Sequence, residues 1–282
     1  MFYVDDGMVA AKNTNEAEDL VQLVASLFAT RALGEPVDFL GIHICRDRSA
    51  GTISIDQEDK ARALAAELEM ESSFRAHDIH SYIHSVPMTS VVYQGLKAAK
   101  IGEPMADKQL YQQTIGSLLH LAQCTRPDIA LPVGALAAYC SKPSAVHWAR
   151  LLDVVRYVGG TASRGITFGN HSQALGIWCD ANFASCLDTR RSTTGWVVVM
   201  YGSAVSWASK KQPTAAASTM DAEYQACGSV AREGLSLAKA LRELEPLSTN
   251  LPLKDPMIIC YDNKAAQSLC QDHKEGSANK AH

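Results

Sequence analysis

The sequence predicts an α/β protein with a mixed sheet flanked by helices toward its C-terminus. Three observations lead there. Apolar runs of strand length follow one another at 174–179, 194–201 and 204–208. A helical period then holds over 221–244. A further apolar run at 257–261 leads into a helix-suited stretch at 263–271. The length of 282 residues accommodates two compact units, and 47% apolar with 20% charged residues is ordinary globular composition.

The preceding elements follow from local chemistry. Phe2, Tyr3 and Val4 favour a strand, Asp5-Asp6-Gly7 a turn, and Met8-Val9-Ala10 a returning strand. Asn13 with Glu16 has the pattern of a capping box. Behind it Leu20, Leu23, Val24, Leu27 and Phe28 line one helical face, with Gly34 as the expected stop. Residues 39–45 and 52–55 suit a second hairpin, and 57–70 a helix. Residues 71–108 lack periodicity and are expected to form a long connection with little regular structure. Helices are expected over 109–123, from beyond Pro127 to 139, and over 145–158, where Gly159-Gly160 ends the last. Pro132 fits only an early turn of its helix.

The net charge of -4 and a pI near 6.1 lack the basic excess of many nucleic-acid binders, although a local basic groove can sit within an acidic protein. Eight cysteines without a CxxC pair give little support for zinc. Cys140 and Cys260 lie in apolar runs, where a thiol behaves as a small buried hydrophobe, and reduced thiols suit an intracellular protein. The opening residues lack the features of a secretory leader. No apolar run reaches the roughly 18 residues of a membrane helix. His43, His77, His80, His84 and His171 lack ligand-like grouping. Trp148 and Trp207 are expected to pack, and Ser218-Thr219 to open a helix.

Three acids occupy informative places. Asp180 follows the strand Leu175-Gly176-Ile177-Trp178-Cys179, and Asp262 follows the run 257–261. Functional groups gather at the carboxyl ends of strands in open α/β sheets. If these strands are parallel neighbours, both carboxylates meet. Glu223 is expected in the first turn of a helix whose apolar face holds Ala226, Val230, Leu237 and Leu241. Packing that face on the sheet brings Glu223 to the same edge. Converging carboxylates repel unless a cation separates them, and hard oxygen ligands suit magnesium. Spacing alone favours the plainer reading of solvated turn acids after strands.

Several short motifs occur in one order across nearly the whole chain. They are Tyr3-Val4-Asp5-Asp6, Phe39-Leu40-Gly41-Ile42, Cys124-Thr125-Arg126-Pro127-Asp128-Ile129-Ala130, and the pairs His147-Trp148 and Arg156-Tyr157. Later come Cys179-Asp180-Ala181-Asn182, Arg190-Arg191-Ser192-Thr193-Thr194-Gly195-Trp196, Ser206-Trp207-Ala208-Ser209-Lys210-Lys211-Gln212-Pro213, Asp221-Ala222-Glu223-Tyr224 and Tyr261-Asp262-Asn263. Together they resemble the C-terminal part of the Pol polyprotein of copia-type retrotransposons.

The resemblance implies a partial reverse transcriptase palm and thumb region over 1–70 and a partly helical connection over 71–170. It implies a ribonuclease H-like domain over 171–282, truncated at its C-terminus. Asp180, Glu223 and Asp262 would be three of four carboxylates holding Mg2+, or Mn2+ in its place, for hydrolysis of the RNA strand of RNA–DNA hybrids. Lys210 and Lys211 would contact phosphates, or lie in a solvated turn. Asp5 and Asp6 would be two of three polymerase metal ligands, without the strand that carries the third. The implied partners are an RNA–DNA hybrid and the remainder of the Pol polyprotein, with no membrane. Asn182 and Phe183 depart from the usual Asp and Trp, at positions that are not core metal ligands in the family. Lys280-Ala281-His282 is similar to the approach to the fourth carboxylate, and the chain stops there. The expectation is therefore an incomplete metal site with weakened affinity, the alternative being a catalytically silent transposon relic that at most binds nucleic acid.

Overall fold

The computed structural model describes residues 2–3, 6–71, 86–169, 175–244 and 257–262. They form a mixed α/β fold with flanking helices.

The chain opens with β1 (Phe2–Tyr3) paired antiparallel to β2 (Asp6–Gly7). Asp6 and Gly7 are thus in the returning strand rather than in the turn. Asp5 lies outside the described residues. Helix α1 (Thr14–Leu27) starts as its sequence dictates: the Asn13 side chain accepts from the Glu16 N–H at 2.9 Å, and Asn13 Nδ2 donates to Glu16 Oε1 at 2.8 Å. It ends at Leu27, before Gly34. Its apolar face stays in solvent, with Leu20, Leu23, Leu27 and Phe28 all exposed.

A four-stranded antiparallel sheet follows. It contains β3 (Asp38–Phe39), β4 (Ile42–Asp47), β5 (Thr52–Asp56) and β6 (Ile166–Phe168) in that order. The expected single strand from 39 to 45 is broken at Leu40-Gly41. Both residues have positive φ, 54° and 73°, so the chain reverses there and Phe39 pairs with Ile42. Two positive φ angles in succession match the twist of flanking strands, which favours glycine at the second position. Strand β6 was not anticipated. It pairs with β5 from more than a hundred residues away, and three residues are too few to show a period.

Helix α2 (Glu58–Glu71) packs on a helical bundle. The bundle comprises α4 (Lys108–Cys124), α5 (Ala130–Ala137) and α6 (Ala145–Gly160), and a short helix, α3 (Ser90–Gly95), precedes it. α3 lies in a stretch expected to be irregular. Its start is set by a local cap, the Thr89 hydroxyl accepting from Val92 N–H, rather than by periodicity. One core joins Leu64 and Leu68 of α2 to Tyr111 and Leu118 of α4, Val133 and Leu136 of α5, and Leu151 and Val155 of α6. Trp148 packs against this core, as expected. A 3-10 turn at Pro127–Ile129 precedes α5, which leaves Pro132 in the first turn where proline is tolerated.

The second sheet holds β7 (Gly176–Asn182), β8 (Thr193–Met200), β9 (Ser203–Lys211) and β10 (Ile259–Cys260), ordered β10-β7-β8-β9. Helix α7 (Thr219–Leu244) lies on one face. It buries Ala222, Ala226, Val230, Gly234 and Ala238 at four-residue intervals. These small residues let the helix approach closely: a Cβ at Gly234 would sit 3.0 Å from Ile177 Cδ1. The two parts of the molecule meet where α5 packs on β9 and Trp207 Nε1 donates to the Ala122 carbonyl at 2.6 Å. No helix among the described residues is long and apolar enough to cross a membrane.

Candidate metal centre

Strand alternation decides what β7 presents. Ile177 and Cys179 are buried, whereas Trp178, Asp180 and Asn182 are exposed. Asp180 lies inside the strand rather than after it, because the pairing with β8 continues to Asn182. β10 runs parallel to β7, with Ile259 beside Ile177 and Cys260 beside Trp178. Asp262 follows β10 by two residues. The two strands are therefore the parallel neighbours that convergence required. Cys260 is exposed rather than buried, since alternation on this edge strand turns Ile259 inward.

Glu223 arrives from α7. The Ser218 hydroxyl accepts from Asp221 N–H at 3.1 Å and starts the helix, the entry role expected of Ser218-Thr219. The helix begins two residues earlier than the apolar period suggests, so Glu223 falls just beyond its first turn.

One oxygen from each of Asp180, Glu223 and Asp262 lies within 4.8 Å of the others. Asp180 and Asp262 are exposed, and Glu223 is 7% exposed. The Ala181 N–H donates to Asp180 Oδ1 at 2.8 Å and to Glu223 Oε1 at 3.3 Å. Glu223 Oε2 is buried with no hydrogen-bond partner among the described residues. Burial, followed by the Asp180 charge, pushes the Glu223 carboxyl up to about 7, and Asp262 adds to the rise. An unpartnered buried carboxylate oxygen facing two further acids is the donor set that a hard divalent cation satisfies. The triad can hold such an ion, Mg2+ included, and its arrangement resembles that of ribonuclease H-like active sites.

No protein-family profile matches the chain, and no solved structure does. Whole-sequence comparison does find relatives. The chain is 28% identical over 279 residues to the retrovirus-related Pol polyprotein from transposon TNT 1-94 of Nicotiana tabacum, covering 96% of this chain and 20% of that protein. It is 32% identical over 210 residues to the transposon Ty5-1 protein of Saccharomyces cerevisiae, covering 74% of this chain and 64% of the relative. This chain is a homologue of retrotransposon Pol polyproteins. A third relative, secreted RxLR effector protein 161 of Plasmopara viticola, is 36% identical over 133 residues, which is 47% of this chain and 94% of that protein. The Pol homologue thus spans about a fifth of the tobacco polyprotein and about two thirds of the yeast protein.

The remaining sequence-derived positions fall elsewhere in the Pol homologue. Asp6 is exposed on β2. Lys210 and Lys211 are consecutive strand residues, so they point to opposite faces of β9. Lys210 Nζ lies over the Trp196 ring at 5.2 Å, while Lys211 Nζ donates to Cys186 Sγ at 3.0 Å. Of the five histidines set aside, His43 is paired with Asp56 at 3.1 Å on the surface, and the other four lie outside the described residues. Two further residues of the second sheet region were given no role by the sequence. Gln212 is buried between β8 and α7, and its signal in the sequence is its place in the motif Ser206–Pro213. Cys186 carries no motif at all. Burial raises its thiol, but the Thr189 hydroxyl, Lys211 and the N–H groups of Thr189 and Asp188 outweigh this and bring it down to about 7.

Proposed function

We propose that this chain is a reverse transcriptase/ribonuclease H part of a copia-type Pol protein, and that its triad hydrolyses the RNA strand of RNA–DNA hybrids with Mg2+ or Mn2+. The observation that carries this reading is the convergence of three carboxylate oxygens within 4.8 Å, delivered by β7, α7 and the segment after β10. The cation, when bound, supplies the charge that activates water and stabilises a leaving oxygen. Asp180 and Asp262 present their carboxylates from the exposed side. Glu223 closes the buried side, takes one ligand position and orients the attacking water. Its Oε1 is held by the Ala181 N–H, which leaves Oε2 for the ion. The 2′-hydroxyl is the group by which such a site distinguishes RNA from DNA.

The N-terminal segment fits part of a reverse transcriptase palm. Asp5 and Asp6 belong to its metal motif, and the uncovered apolar face of α1 supports a surface meant for the remainder of a Pol polyprotein. Lys211, on the face of the sheet that carries Asp180, is the better candidate of the two lysines for a phosphate contact.

The test is cleavage of a labelled RNA–DNA hybrid by the chain extended through the sequence that follows it in the transposon. Mg2+-dependent cuts in the RNA strand, lost in Asp180→Asn and Asp262→Asn, are expected. A folded, extended chain that leaves the hybrid intact overturns the reading, and hybrid binding without turnover assigns the chain to the silent-relic alternative.

A further inference from the structure

The geometry of the triad depends on how α7 is fixed against the sheet, and one side chain spans that seam. Gln212 is 3% exposed. Its Nε2 donates to the Ala222 carbonyl at 2.8 Å and to Thr194 Oγ1 at 3.0 Å. Its own N–H donates to the Ser192 carbonyl at 2.8 Å. Ala222 is the residue before Glu223. Thr194 is paired across the sheet with Ala181, whose N–H serves both Asp180 and Glu223. A single amide group therefore joins the backbone just before Glu223 to β8, the strand paired with the one that carries Asp180 and Ala181.

The orientation of that amide is settled by chemistry. A carbonyl can only accept, so the group facing Ala222 must be the NH2. Gln212 Oε1 is then left buried with no partner among the described residues. Buried polar atoms are normally satisfied, and one that is not calls for a reason. A hydrocarbon of the same shape would avoid the orphan oxygen but could not donate to Ala222 or Thr194. The two donor bonds are what the position requires.

We infer that Gln212 is a positioning residue for the metal centre, holding Glu223 in register with Asp180 by clamping the start of α7 to β8. This rests on the reading of the triad as a metal site. Groups that orient metal ligands without touching the ion typically set affinity by about 10–100-fold.

The test is titration of the full chain with Mn2+ alone, by calorimetry, for wild type, Gln212→Met and Thr194→Val. Methionine keeps the volume and removes both donors, and valine removes one acceptor while leaving the bond to Ala222. Expected is a rise in the Mn2+ Kd of about tenfold or more for Gln212→Met, and a smaller rise for Thr194→Val, each with unchanged circular dichroism. On labelled hybrid, raising Mn2+ should restore kcat in Gln212→Met while KM stays that of wild type. A purely structural role would instead lower the active fraction at every metal concentration. An unchanged Mn2+ Kd in folded Gln212→Met overturns the inference and leaves the metal site standing. Should that variant fail to fold, an unchanged Kd in Thr194→Val overturns it. A wild-type chain, extended as for the cleavage test, that binds no Mn2+ overturns both readings.

Discussion

Glu223 and Asp180 share one hydrogen-bond donor. The Ala181 N–H is 2.8 Å from Asp180 Oδ1 and 3.3 Å from Glu223 Oε1. A single N–H cannot neutralise two carboxylates, and Asp262 stands within 4.8 Å of both. Without a cation the cluster is repulsive. The repulsion falls on Glu223, the most buried of the three.

This gives the metal-free protein a pH dependence of definite sign. The Glu223 carboxyl is raised to about 7 in the folded chain, whereas an unfolded glutamate titrates near 4.5. Between these values the folded state binds more protons than the unfolded one, so stability falls as pH rises through that window. In EDTA, the Tm should be lower at pH 8 than at pH 5. Glu223→Gln removes the buried charge and should flatten that difference while abolishing stabilisation by Mg2+. A Glu223→Gln chain that keeps the wild-type slope would place the pH dependence elsewhere. Thermal melts with and without Mg2+ at the two pH values decide it.

The acids were legible in sequence because each sits at the end of a pattern. Alternation or an apolar run marks β7 and β10, and a four-residue period marks α7, so the chain itself indicates where Asp180, Asp262 and Glu223 emerge. What the patterns could not give was nonlocal. β6 is three residues long and is defined by its pairing with β5, and α3 is defined by one cap. Gln212 stands in the Ser206–Pro213 motif, but its burial shows only once β8 and α7 close around it. The face of α1 was correctly seen as apolar, but its exposure depends on what lies against it, which period does not encode.

His147 offers a second titration with a different cause. It is 2% exposed. Its Nε2 must donate to the Lys97 carbonyl at 2.9 Å, and its Nδ1 accepts from the Ser144 N–H at 3.0 Å. A proton on Nδ1 would meet that N–H head-on. Burial holds the ring below its usual value of 6.5 despite the Lys97 carbonyl and nearby acids. The folded state then binds fewer protons than the unfolded one below pH 6.5, so stability is complete above it and is lost as pH falls. His147→Ala should cost about 1–2 kcal/mol at pH 7.5 through the lost capping box. It should also lessen the fall in stability between pH 7 and 5. Urea unfolding at several pH values measures both effects.

Arg126 and Asp128 explain why the motif around Pro127 has the residues it has. The Arg126 guanidinium is buried, with Nε and Nη2 each 2.9 Å from an Asp128 oxygen. It also donates to the Thr161 carbonyl and hydroxyl, while Tyr157 OH donates to Asp128 at 2.8 Å. The pair therefore ties the start of α5 to the end of α6. Burial opposes charge on Asp128, yet the Arg126 contacts and charge hold its carboxyl below the usual range. Arg126→Ala should destabilise by about 1–3 kcal/mol, since it removes a buried guanidinium and leaves the Thr161 carbonyl and Asp128 without their donor. Arg126→Lys should recover only part, because an ammonium cannot reproduce the planar fork. Urea midpoints of the two variants test the order, and equal midpoints for alanine and wild type would refute the role.

Cys186 and Cys179 should differ sharply in reactivity, although both belong to the same sheet region. The Cys186 thiol is brought to about 7 by the Thr189 and Lys211 contacts and the loop N–H groups, against the effect of its burial. Burial, reinforced by Cys227 and Glu223, pushes Cys179 up to about 12. Because the thiolate is the nucleophile, iodoacetamide at pH 7.5 should alkylate Cys186 well ahead of Cys179. The Cys186 rate should rise with pH and reach half its plateau near 7. Lys211→Met removes one of the stabilising donors, so it should shift that midpoint upward and slow labelling at pH 7.5. Peptide mapping by mass spectrometry over a pH series follows each thiol separately. A midpoint near that of a free cysteine in the wild-type chain would show that the Lys211 contact does not hold in solution.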